Sequence, residues 1–152
     1  MPLSTAKLSG PWDAAGVAEF LDAAVIPIRL ATVSPSGWPT VLSLWFVRSD
    51  DVLLCATQRS ASVVQALEAS GRCAFEVAGE KMPYHGVRGR AEVTVAPDEG
   101  LETLKALVHR YLGSADGGFA RWLLARTSPE VVLRLDPVKL SSWDYRSRMA
   151  DA

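Results

Sequence analysis

The chain has 152 residues, which suits one domain around a single core. Apolar residues make up 49% and charged residues 22%, a balance that excludes a disordered chain. A formal net charge of -1 gives nucleic-acid binding no electrostatic support, and no apolar run approaches the length of a membrane span.

The opening MPLSTAKLSGPWDAAG lacks the apolar core of a signal peptide, so the chain reads as cytoplasmic, with residues 1–10 loose. Pro11 precedes residues 12–24, where Val17, Phe20, Leu21 and Ala24 recur at helical spacing. Pro11 and Asp13 suit a first turn, and the pattern predicts a short amphipathic helix. Residues 28–33 (IRLATV) are rich in strand formers, and SPSG at 34–37 is a turn by composition. Residues 40–47 and 52–57 predict two further strands, and the three together read as an antiparallel meander. Cys55, in the third, reads as a small buried core residue.

Residues 60–70 change to helical spacing, with Ser60 as the predicted cap and Gly71 as the stop. Strands follow over 73–78 and 87–95. Gly89 sits inside the second, where glycine marks a bend or a close approach by another group. Helices are predicted over 97–112 and 119–126, and final strands over 131–135 and 140–143. Such runs of strands exclude a doubly wound parallel sheet. They predict a mainly β, α+β class: a small antiparallel barrel with flanking helices, one domain over 1–152.

Familiar chemistry is absent. No Gly-x-Gly-x-x-Gly follows a strand, and there is neither a Walker loop nor a Gly-x-Ser-x-Gly elbow. His85 and His109 are the only histidines and the cysteines form no Cys-x-x-Cys pair, so no metal site is expected.

Four constellations remain. ATQRSAS at 56–62 joins a strand to a helix start, where unpaired N–H groups, hydroxyls and Arg59 suit a phosphate; sequence physics alone slightly favours a capped helix with one solvated arginine. PYHGVRGR at 83–90 carries Arg88 within an apolar strand, where it faces either an anion or an acidic neighbour. SWDYRSRM at 142–149 concentrates Trp and Arg, residues that anchor interfaces or pack a tail on its own subunit. Trp38, Trp45 and Phe46 offer flat surface to a ring ligand or to a core.

In series, IRLATVSPSGWPTVLSLWFV, LLCATQRSASVVQAL, FEVAG and GVRGRAEV resemble the pyridoxamine 5'-phosphate oxidase-like FMN-binding split-barrel flavoproteins, from about residue 28 to 148. The resemblance implies an antiparallel split β-barrel and a homodimer with flavin at the interface. Ser43, Leu44 and Trp45 would lie along the isoalloxazine ring. Thr57, Gln58, Arg59, Ser60 and Ser62 would meet the ribityl chain and phosphate. Segment 141–152 would reach the partner's site through Trp143 and Arg148 or Arg146, with Arg88 and Tyr84 in the same cleft. The family often has a lysine at the start of the helix after strand three; here Ser62 or Val63 stands there. The implied function is an FMN- or deazaflavin (coenzyme F-420)-dependent oxidoreductase acting on a small organic molecule, hydride transfer being the cofactor's own chemistry. The alternatives are a non-catalytic flavin or haem carrier and a ligand-free structural dimer.

Overall fold

The computed structural model describes residues 3, 5–126 and 129–150. Among them, eight strands form one sheet: β1 (Lys7–Ser9), β2 (Ile28–Val33), β3 (Pro39–Leu44), β4 (Val47–Ser49), β5 (Val52–Gln58), β6 (Arg72–Ala78), β7 (His85–Ala96) and β8 (Glu130–Asp144). Four helices flank it: α1 (Ala14–Ala23), α2 (Ser62–Ser70), α3 (Gly100–Leu112) and α4 (Gly118–Leu124). None of these helices is long and apolar enough to cross a membrane.

The strands run in the order β3-β2-β6-β7-β8-β5-β4, all neighbours antiparallel, with β1 parallel beside β8. The two ends of the sheet do not pair, so the barrel stays split: this is an antiparallel split β-barrel of the α+β class. Period-two burial sets its inside. Ile28, Leu30, Cys73, Phe75, Val77, Val87, Leu133 and Leu135 point inward, joined by Val17 and Leu21 from α1 and Val64 and Leu67 from α2. Gly89 faces inward as well. A Cβ there would stand 2.6 Å from the Phe75 ring and 2.8 Å from the Lys139 carbonyl, so the close approach expected from the sequence is real.

Helix ends are held by identifiable groups. Asp13 caps α1 by accepting from the Gly16 N–H at 2.8 Å. Arg110 of α3 donates to the carbonyls of Leu21, Asp22 and Ala24, satisfying the last turn of α1. Gly71 closes α2 at φ 69°. A small second core of Val108, Ala120 and Leu123 fastens α4 to α3.

Several expectations need correction. Residues 7–9 are a strand: β5 covers β8 only as far as Leu135, and β1 takes the free edge at Lys139–Ser141. The meander breaks at Trp45 and Phe46, because β4 leaves β3 and pairs with β5 at the opposite end of the sheet. The two final strands are one 15-residue strand. A register shift between Arg90 and Ala91 leaves Val138 without a partner on β7, a bulge next to Pro137, which lacks an N–H for the ladder. Ser60 does not cap α2; the cap position is Ala61, with no side-chain hydrogen bond. Of the segment 141–152, Ser141 to Asp144 belong to the sheet and pair with β7.

Candidate functional site

The open edge of the barrel positions the site. β3 has a bonded neighbour on one side only, and its free edge approaches the end of β5. Two cavities lie along this seam. One of about 350 Å³ is bounded by Ser43, Leu44 and Trp45 from β3 and its continuation, and by Thr57 and Gln58 of β5. Leu104 and Leu107 of α3, Phe119 and Leu123 of α4, and Arg126 complete it. The other, about 470 Å³, is bounded by Thr32, Ser34, Thr40, Val41 and Leu42 of the β2–β3 hairpin and by Ser62, Val63 and Gln65 of α2. Thr57 belongs to both.

A row of rings stands beside the first cavity. Trp45 stacks on Tyr111 with centroids 4.9 Å apart and planes at 5°. Phe119 meets Trp45 edge-on at 6.5 Å and stacks on Trp122 at 5.9 Å. The Arg126 guanidinium lies over Trp122 at 5.5 Å. Tyr111 is itself anchored: its hydroxyl donates to the Ile26 carbonyl at 2.7 Å and accepts from the Phe46 N–H at 3.2 Å. Burial pushes this phenol above its ordinary range.

Arg126 also pairs with the buried carboxylate of Glu130. The Arg126 Nε and the Glu130 Oε2 are both buried without a hydrogen-bond partner among the described residues. The thiols contribute no nucleophile. Burial pushes Cys73 up to about 11, and Cys55, fully enclosed and close to Cys73, higher still.

Of the residues picked out from the sequence, Ser43, Leu44, Trp45, Thr57 and Gln58 meet at the first cavity, and Ser62 joins Thr57 at the second. The Ser43 hydroxyl also accepts from Arg29. Arg59 and Ser60 occupy the turn between β5 and α2 and bound neither cavity. The Arg59 side chain pairs with Glu68 at 3.1 Å, and its backbone N–H donates to the Pro129 carbonyl. Arg88 lies over the Trp143 ring at 4.7 Å on the outward face of the sheet. Arg148 lies over Tyr145 at 5.3 Å, and Arg146 pairs with Asp144. None of these bounds either cavity. Tyr84 is exposed, and its carbonyl accepts from the Tyr145 N–H.

Sequence reasoning does not find Phe119, Tyr111 and Arg126. The hint it offers is GFARWLLAR at 118–126, where Phe119, Trp122 and Arg126 recur at helical spacing.

No family profile and no curated protein matches the sequence. Solved structures do share the fold. An F420 reductase is 25% identical, with a TM-score of 0.65, over 81% of this chain and 94% of that one. HutZ, the haem storage protein of Vibrio cholerae, is 16% identical with a TM-score of 0.62, over 90% and 91%. A candidate pyridoxamine 5'-phosphate oxidase from Listeria innocua is 10% identical with a TM-score of 0.61, over 84% and 93%. The resemblance read from the sequence therefore holds as a likeness of fold.

Proposed function

We propose that this chain is a flavin- or deazaflavin-dependent oxidoreductase that works as a homodimer on a small organic molecule. The observation that carries the reading is the pair of cavities meeting at Thr57 along an unpaired strand edge. Their sizes suit a ligand with a tail and a flat ring.

The residues present fit such a cofactor. The α2 amino end carries no side-chain cap, and its Ala61, Ser62 and Val63 bound the second cavity together with Thr40 and Thr57. That arrangement receives a phosphate without the missing lysine. The ring would lie along Leu42 to Trp45. Bound there, the cofactor would supply hydride transfer, while the protein fixes its orientation and excludes water.

Haem is the weaker reading. Among the described residues, neither His85 nor His109 bounds either cavity, and a proximal histidine is the commonest protein axial ligand.

The two-fold seam is assigned to the outward face of β2, β6 and β7. Arg72, Ala74, Arg90, Glu92 and Val138 border a broad hollow of about 950 Å³ there, and Thr32 links it to the tail cavity. Trp143 and Arg88 share this face, so they would be offered to the partner's cofactor.

The test is direct. Purified protein is titrated with FMN and with the deazaflavin while visible absorbance and sedimentation are followed. The reading expects saturable binding of one of them at one equivalent per chain by a dimer. A monomer that binds neither would overturn it.

A further inference from the structure

We infer that three adjacent strands, β7, β8 and β1, carry a separate anion-binding site on the outer face of the sheet, and that its ligand class is a short linear polyphosphate. The site uses neither cavity between β3 and β5, so it goes beyond the cofactor reading.

Strand register builds the site. β1 sets Lys7 opposite Lys139 of β8, and on the other side of β8 Lys139 stands opposite Arg90 of β7. The cations form one row across the strands, about 10 Å long. The next outward row places Ser9 opposite Ser141. Their hydroxyls are 2.6 Å apart; one O–H makes that bond and the other is free to donate. Alternation turns all of these side chains away from the core, which takes Leu8, Leu140 and Ala91 between them.

Like charges directly opposite each other destabilise a sheet. Nothing in the fold offsets them here. Among the described residues, no acid pairs with Lys7, Lys139 or Arg90. Lys7 and Arg90 are exposed and Lys139 is half-buried. A bound anion removes the repulsion and stabilises the fold.

Charge density chooses the ligand. An extended acidic peptide turns one carboxylate to a given face about every 7 Å, so it brings about two to this row. A di- or triphosphate brings about three or four negative charges in less length. The site is also bounded: Glu92 follows Arg90 on the same face, and Glu76 lies opposite Arg88. A nucleic-acid strand running on would meet these carboxylates, whereas a compact anion stops short of them. Arg90 also borders the hollow assigned to the two-fold seam; Lys139 and Lys7 lead away from it across β8 and β1.

Isothermal titration tests this with tripolyphosphate, pyrophosphate, orthophosphate, ATP and a tetraglutamate peptide. Tripolyphosphate is expected to bind tightest and pyrophosphate next, with orthophosphate and the peptide about tenfold weaker or more. ATP identifies the source: affinity equal to tripolyphosphate means that the phosphate chain alone is read, and tighter binding means that a nucleotide carries it. Either result supports the site. Lys7→Gln and Lys139→Gln should each weaken tripolyphosphate about three- to tenfold. Without ligand, Lys139→Gln should melt no lower than wild type, because it removes an opposed charge. Arg134→Gln, which alters a cation elsewhere on β8, should bind as wild type does.

The peptide binding as tightly as tripolyphosphate, or wild-type affinity in both glutamine variants, would overturn the proposal. So would displacement of tripolyphosphate by FMN, which would move it to the cavity beside α2. The cofactor reading is checked separately, by titrating FMN and the deazaflavin into the same variants. If neither binds while the polyphosphate order holds, this site stands and the cofactor assignment falls.

Discussion

Trp45 and Tyr111 stack face to face, far apart in the chain, at the point where the edge strand stops being a strand. Tyr111 holds this break through its hydroxyl, which bridges the Ile26 carbonyl and the Phe46 N–H. The cavity wall therefore depends on a phenol in α3 that keeps Trp45 turned toward the ligand space.

Tyr111→Phe keeps the stack and removes the bridge. Two backbone groups lose their partner, which costs about 1–3 kcal/mol in stability. Urea denaturation followed by tryptophan fluorescence measures it. The folded phenol titrates above its unfolded value of about 10, so folding favours the protonated form. Its stabilisation is complete below that pH and declines as pH rises through the folded pKa. The phenylalanine variant should lack this alkaline component.

Arg59 pairs with Glu68 and must release it to reach an anionic tail at the α2 amino end. Breaking an exposed ion pair costs about 0.2–1 kcal/mol. A charge-assisted contact to phosphate returns about 1.5–3 kcal/mol. The contact therefore wins, and Arg59→Ala is expected to weaken FMN binding about tenfold. Glu68→Gln frees the arginine and should tighten binding a few-fold. Isothermal titration of both variants separates a swinging arginine from one that only braces its helix.

Period-two and helical spacing made most elements legible, including α1, α2 and the core faces of β6 and β7. The tertiary exceptions were not legible. Asp136-Pro137 looks like a strand break, yet a bulge carries β8 through it. Residues 40–47 continue one alternating pattern, yet Phe46 is fully buried and Tyr111 holds the chain in a bend there. β1 has too few residues to show a period and is recruited by the free edge of β8. At the site, β3 and Thr57 could be found because family likeness pointed there. Phe119, Tyr111 and Arg126 arrive from α3 and the α4 region, and only folding brings them beside residues 43–58.

Gly89→Ala is expected to destabilise the barrel by about 1–3 kcal/mol, because the new methyl meets the Lys139 backbone as well as the Phe75 ring. The backbone cannot step aside without disturbing the β7–β8 ladder. Gly79→Ala is the control: a methyl there meets nothing within 4 Å beyond its chain neighbours. Its stability should stay within about 0.5 kcal/mol of wild type. Thermal denaturation of the two variants side by side reads the difference.

Asp144 links the end of β8 to the entrance of α1. It accepts from Arg146, and from the Trp12 indole N–H at 3.2 Å. The Arg146 hydrogen bonds hold its carboxyl well below the usual carboxylate range. The folded carboxyl thus binds its proton more weakly than the unfolded one, whose pKa is about 3.9. The stabilisation is complete above that value and disappears as pH falls through the folded pKa. Asp144→Asn removes the charge and resembles the protonated state. Urea midpoints should therefore separate wild type from variant most at neutral pH, and the gap should shrink progressively below about pH 4. Asp22, held low in the same way by Arg48, lowers both proteins together and cancels in the difference. A gap at about pH 3 as wide as at about pH 7 would mean that Asp144 acts through shape alone.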